Sequence, residues 1–106
     1  MLEFTLTGNL GKDPRVINDT ACATVCCNTP INGTGDTEPV WVDIEATQHS
    51  RNGERLLAMN KGYGIIVRGV VRVNYYMHGG TEKQGWILEI NQLHVTFKPE
   101  KVRTNK

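Results

Sequence analysis

No apolar run in this 106-residue chain approaches the roughly 20 residues a membrane-spanning helix needs, and no charged-then-apolar leader opens it. A cytoplasmic, nucleoid-associated protein without a membrane partner is the expectation. Strong charge of either sign is also missing. Twelve Lys and Arg against eleven Asp and Glu leave a net charge of +1, so the global field argues for no polyanionic partner. Any such case rests on where the cations sit. They cluster at 51–61, 68–72 and 98–106, whereas the acids are scattered.

Cysteine and histidine are scarce. Cys22, Cys26 and Cys27 fall in one predicted strand, where Cys26 and Cys27, as neighbours, point to opposite faces and are poorly placed to pair or to clamp one metal. No second ligand pair stands at a zinc spacing, so the three are expected as small buried thiols, with no metal and no cofactor. His49, His78 and His94 are spread over a predicted helix start, a loop and a strand. No nucleophile, base and orienting group can be read together, so no catalytic residue and no enzyme is expected.

What is present is alternation. At 61–78, KGYGIIVRGVVRVNYYMH sets Ile65, Val67, Gly69, Val71 and Val73 on one side and Arg68, Val70, Arg72, Asn74 and Tyr76 on the other. That is a long half-buried strand with a basic and aromatic outer face. Gly69, with no side chain to pack, marks a bulge or a bend where a sheet curls into a barrel.

Strands flank it in sequence. At 1–8, Leu2, Phe4 and Leu6 alternate with Glu3, Thr5 and Thr7, predicting a first strand with that apolar set buried; GNLGKDPRV then supplies turn residues. ACATVCCN at 21–28 is the second strand, TPINGTGDTEP a mobile hairpin loop, and VWVDIEAT at 40–47 the third strand, with Trp41 facing away from its aliphatic stripe. Residues 48–60 carry the one helical signal, capped by Ser50 or Asn52 and closed by Gly62. After the central strand, HGGTEKQG reads as a loop and WILEINQLHVTF as a fifth strand whose phase slips by one between Ile90 and Leu93, the mark of a bulge. The fold class is therefore all-β: five strands with a short helix between the third and fourth, the plan of the oligonucleotide-binding (OB-fold) barrel, although this pattern also allows a small sandwich. One domain at 1–98 and a flexible basic tail at 99–106 complete the expectation.

Resemblance favours the barrel. LTGNLGKDPRV, ACATVCCNT, VWVDIEA and KGYGIIVRGVVRVNYY, in this order and spacing, resemble the bacterial single-stranded DNA-binding protein family over about four-fifths of the chain. The resemblance implies base stacking on Trp41 and Tyr76 and basic contacts at Lys61, Arg72 and Lys12. Arg68 joins them on the face of its strand, with Tyr75 or Trp86 as further platforms. The family's aromatic late in the third strand is Thr47 here, and its aromatic in the loop after the second strand has no counterpart in INGTGDT. Fewer platforms, at about 1 to 3 kcal/mol each, imply weaker or shorter-footprint binding.

Members of that family usually continue into an acidic, Phe-tipped tail, whereas this sequence stops at KVRTNK; length and lack of a tail resemble the primosomal replication protein B, a dimeric derivative of the same barrel, although GNLGKDPRV favours the parent family. The expected function is binding of single-stranded DNA without sequence specificity in replication, repair or recombination, as a homo-oligomer (dimer or tetramer) formed through a strand edge such as 1–6. The alternative is a replication-restart adaptor on the same barrel, in which Trp41 or Tyr63 meets a replication or restart protein. Each site residue also has a duller role: Arg68 and Arg72 as cross-strand partners of Glu45 and Glu89, and the aromatics as packing.

Overall fold

The computed structural model describes residues 2–30, 33 and 35–99. Along the chain come β1 (Glu3–Leu10), β2 (Arg15–Ile17), β3 (Thr20–Pro30), β4 (Thr37–Thr47), α1 (Arg51–Leu57), β5 (Gly64–His78) and β6 (Thr81–Phe97). β1 pairs with β5, β5 with β6, β6 with β4 and β4 with β3. β3 then returns to β1 at Asn9–Cys26 and Leu10–Val25, closing a ring of five strands that carries β2 on β3. Every pairing is antiparallel except β4–β6, which is parallel from Asp43–Ile87 to Glu45–Glu89.

Period-two alternation decides what fills the ring. Val25, Ile44, Ile65, Val67, Leu88 and Leu93 all point inward and are at most 1 % exposed. Burying such a side chain is worth roughly 1.5–3 kcal/mol, so the inward faces carry the fold. Curling the sheet this tightly needs irregularities, and β6 supplies them. Arg68 pairs with Gln92 while Gly69 pairs with Ile90, leaving Asn91 as the extra residue of a bulge, where the one-residue phase slip had been expected. Gly69 sits across from it, and a Cβ there would collide with the Glu89 carbonyl.

α1 closes one end of the barrel. The Ser50 hydroxyl accepts from the Gly53 N–H at 3.0 Å, satisfying a free donor of the first turn, and fully buried Leu56 enters the core. Gly53 rides so close to the Thr47 carbonyl that a Cβ would not fit. The Asn52 amide donates to the Asn91 carbonyl at 3.0 Å, so the helix also ties down the bulge.

Several expectations need correction. Leu2 and Phe4 are 47 % and 37 % exposed: they lie on the core-facing side of β1 but at the open lip of the barrel, so only Leu6 and Leu10 reach the interior. The glycine loop after His78 shrinks to a two-residue turn, because Gly79 and Gly80 both adopt positive φ (59° and 79°), the geometry that suits the twist of a tight hairpin. The hairpin after β3 is likewise longer than read, with pairing out to Pro30–Thr37; its tip at 31, 32 and 34 lies outside the described residues. A hairpin was missed at 15–22, where Asn18 and Asp19 (φ 49° and 61°) turn β2 onto β3. The thiols are half-buried and free, Cys26 outward beside Trp41 and Cys27 against the core. Of the predicted tail only Pro99, packed on Gly62, belongs to the described residues.

Candidate nucleic-acid interface

Two turns meet at one end of the barrel, and backbone hydrogen bonds lock them together. Leu10 N–H donates to the Tyr63 carbonyl (2.9 Å), Gly62 N–H to the Leu10 carbonyl (2.8 Å), and Lys61 N–H to Asp13 Oδ1 (2.7 Å). Gly62 has φ 91°, a value that excludes most side chains, so the second turn needs its glycine. The result places Lys12 and Lys61 on adjoining turns, both exposed and neither in an ion pair among the described residues.

Trp41 belongs to the same corner. It projects from the outer side of β4 opposite Cys26, and its ring lies so close over Gly11 that a Cβ there would collide with it. With 59 % of its surface still exposed, the indole is seated on its underside and open above. A flat, half-supported ring beside lysines is what a stacked base and its phosphate require.

The remaining residues divide by face. Arg72, Asn74 and Tyr76 continue along the outer side of β5, where Tyr76 pairs with Lys83 and its ring lies over Gly85. Trp41 and Tyr76 therefore share the outer side of the sheet. Tyr75 and Trp86 lie on the other side. Trp86 packs against Phe4 with ring centroids 5.9 Å apart, so part of its surface is spent on packing although 47 % remains open. From Arg72 to His78 every β5 residue is exposed, so this part of the β5–β6 hairpin stands clear of the barrel as an arm.

The two arginines are already engaged. Arg72 crosses the parallel junction of β4 and β6, donating to Glu45 and, at 2.8 Å, to Glu89. These hydrogen bonds, Glu45 first, push its pKa further up. Its charge is outweighed locally by two carboxylates. Arg68 reaches Glu3 at 3.4 Å. Lys83 and Arg15 are exposed cations that the sequence reading passed over, because 78–85 and 8–16 were read as loops; continued alternation past the Gly-Gly pair was the available signal for Lys83.

Between the β1–β2 turn and the outer side of β3 and β4 runs a groove of about 290 Å³. Cys22 lines it, and its thiol pKa is raised by burial and by Glu45, with Arg15 acting in the opposite sense. Among the described residues no group of His, Cys, Asp or Glu is arranged to hold a metal, and no helix is long and apolar enough to cross a membrane.

Solved structures with this architecture include single-stranded DNA-binding proteins. A small one from Streptomyces coelicolor superposes with a TM-score of 0.71 at 10 % identity, covering 89 % of this chain and 93 % of that one. The mitochondrial protein of S. cerevisiae gives 0.73 at 11 % identity, covering 93 % and 98 %. A Plasmodium falciparum protein in complex with single-stranded DNA gives 0.66 at 19 % identity, covering 90 % and 92 %. The chain has the oligonucleotide-binding fold. At these identities the likeness is one of fold, and no family model and no curated protein sequence matches the chain. The oligonucleotide-binding barrel accounts for the closed five-strand ring.

Proposed function

We propose that the protein binds single-stranded DNA with little regard to sequence, as the unpaired intermediates of replication, repair and recombination would require. The observation that carries this reading is the corner formed by Trp41, Lys12 and Lys61: an indole supported from below and open above, beside two cations with no ion-pair partner among the described residues. A base stacks on Trp41 and a second on Tyr76 along the same side of the sheet, while Lys12 and Lys61 take phosphates and release counterions. Arg72 contributes to phosphate binding only as far as Glu45 and Glu89 release it, and Arg68 only as far as Glu3 does. Tyr75 and Trp86, on the opposite side, can join only where the strand wraps the arm. The reading is of a binding protein, with no reaction assigned.

Self-association is part of the proposal. β1 pairs with β5 along Glu3–Asn9 but with β3 only at Asn9 and Leu10, so among the described residues the other edge of its first residues has no strand partner and can pair with a second copy. Exposed Leu2 and Phe4 lie beside that edge.

Fluorescence anisotropy with labelled oligo-dT and with a duplex of equal length tests the reading. Single strands should bind much more tightly, because a duplex hides the faces of its bases; equal affinity for both would overturn it.

A further inference from the structure

We infer that the groove between the β1–β2 turn and the outer side of β3 and β4 holds one nucleobase carrying an exocyclic amino group, with Asp43 as its acceptor, in preference to thymine or uracil. The inference rests on the proposed binding of single-stranded DNA and adds a base preference at one position of the path.

The groove's volume, about 290 Å³, lies at the lower limit of the roughly 300–1,000 Å³ of small-molecule pockets, which suits one heterocycle and little more. Ile17 and Ile87 give it apolar walls for the faces of a ring, and Thr24 and Asp43 lie across its floor on paired strands. Among the described residues three carboxylates line it, each with one oxygen engaged: Asp13 accepts from Lys61 N–H and Glu45 from Arg72, both at its borders. Asp43 is the one on the floor. Its Oδ1 takes the Thr24 hydroxyl at 3.0 Å, which fixes the carboxylate, and its second oxygen has no partner among the described residues.

A fixed, charged acceptor with one open lone-pair site calls for a donor. Cytosine, adenine and guanine each carry an amino group; cytosine N4–H₂ is the usual match for Asp or Glu. One of its hydrogens points away from the ring acceptor N3 and reaches a carboxylate unopposed. Thymine and uracil offer a single N–H between two carbonyl oxygens, and those would face the carboxylate oxygen for oxygen.

The position along the strand also fits. Asp43 follows Trp41 by two residues on the same side of β4, a step of about 7 Å, so a base stacked on Trp41 has its neighbour at the groove mouth. Lys12 and Arg15 border the groove and have no ion-pair partner among the described residues, so they can hold the flanking phosphates. Those cations offset the repulsion that Asp43 would otherwise exert on the DNA backbone.

Oligo-dC and oligo-dU of equal length, titrated at neutral pH and one salt concentration, differ only in the exchange of the amino group for a carbonyl and of the ring acceptor N3 for an N–H. The wild-type protein should bind oligo-dC on the order of tenfold more tightly, as expected for one hydrogen bond to a charged group. Asp43→Ala should bring that ratio close to one. Asp43→Asn, which keeps the volume and the link to Thr24, should lower it several-fold, and it carries the test if the alanine variant loses its urea transition. Equal binding of the two oligomers by the wild-type protein would overturn the base pocket while leaving stacking on Trp41 standing, as would a preference that survives both substitutions. Failure to bind either oligomer would overturn the functional reading and this inference together.

Discussion

At the scale of single residues, the proposed binding turns on how Trp41 is held. Its ring is supported by Gly11, so any side chain at that position must lift or displace the indole. Trp41→Ala should therefore weaken oligo-dT binding by about 1–3 kcal/mol while leaving the urea midpoint nearly unchanged, because the ring is exposed and fills no core space. Affinity and unfolding measured on the same preparation check both halves. The thiols make a prediction of another kind. Burial raises the pKa of Cys22 and Cys27 above the ordinary 9.0, Cys22 with help from Glu45. The folded state thus keeps protons that the unfolded state gives up, so the thiols' stabilising contribution is intact below about pH 9 and is lost as pH rises through the folded values. The fall in urea midpoint between pH 8 and pH 10 should be smaller in a Cys22→Ala, Cys27→Ala variant than in the wild type.

At the scale of elements, the β4–β5–β6 junction holds the barrel shut. Gly69 lies against the Glu89 carbonyl, so Gly69→Ala must push two paired strands apart. It should cost at or above the upper end of the roughly 1–3 kcal/mol of ordinary overpacking, read as a lowered urea midpoint. On the outer surface of the same junction Arg72 links Glu45 and Glu89, an exposed network of small net worth to stability. Glu45→Gln with Glu89→Gln should therefore change stability little, but it frees a guanidinium and removes two negative charges from the proposed DNA side. Oligo-dT affinity should rise, and the slope of log affinity against log salt should steepen by up to about 0.7, one phosphate's worth for a single strand; an unchanged slope would show that DNA does not pass over Arg72.

The elements also explain which parts of the sequence were legible. Alternation in β4 and β5 identified the outward Trp41 and the inward Ile65 and Val67 without any structure, because a period of two is imposed by the pleat. The same logic located the bulge, since a phase slip at Ile90–Leu93 has no other simple cause. It failed at the lip of the barrel. Leu2, Phe4, Val73 and Trp86 obey the inward alternation yet stay exposed, because the ring no longer encloses them there; local pattern carries no information on where a barrel ends. Turn-rich composition misled as well. Gly79–Gly80 was read as part of a loop and Asn18–Asp19 was given no element, although each is a two-residue turn inside a hairpin, which hid β2 with Arg15 and the arm with Lys83. The partners of Arg72, Glu45 and Glu89, were legible as its plainer cross-strand role, and both pairs form; what no local window contains is the parallel β4–β6 pairing, between segments some forty residues apart, that sets the two carboxylates side by side.

At the scale of the whole molecule, the proposed binding of a polyanion by a nearly neutral chain rests on how its charges are distributed. Glu45 and Glu89 meet on the outer side of the strand junction, where Arg72 partly neutralises them, while Lys12, Arg15 and Lys61 outnumber Asp13 and Asp43 at one corner and Lys83 stands on the arm. Such an arrangement implies few phosphate contacts, and hence a modest salt dependence, with stacking supplying a large share of the affinity. The most direct test is a titration of the Trp86→Phe protein, in which Trp41 is the sole indole, with oligo-dT at several salt concentrations. Saturable quenching of Trp41 fluorescence, with log affinity falling linearly against log salt by about 0.7 for each phosphate engaged, is the expected result. Binding that leaves Trp41 emission unaltered, or no binding at low salt, would contradict the account.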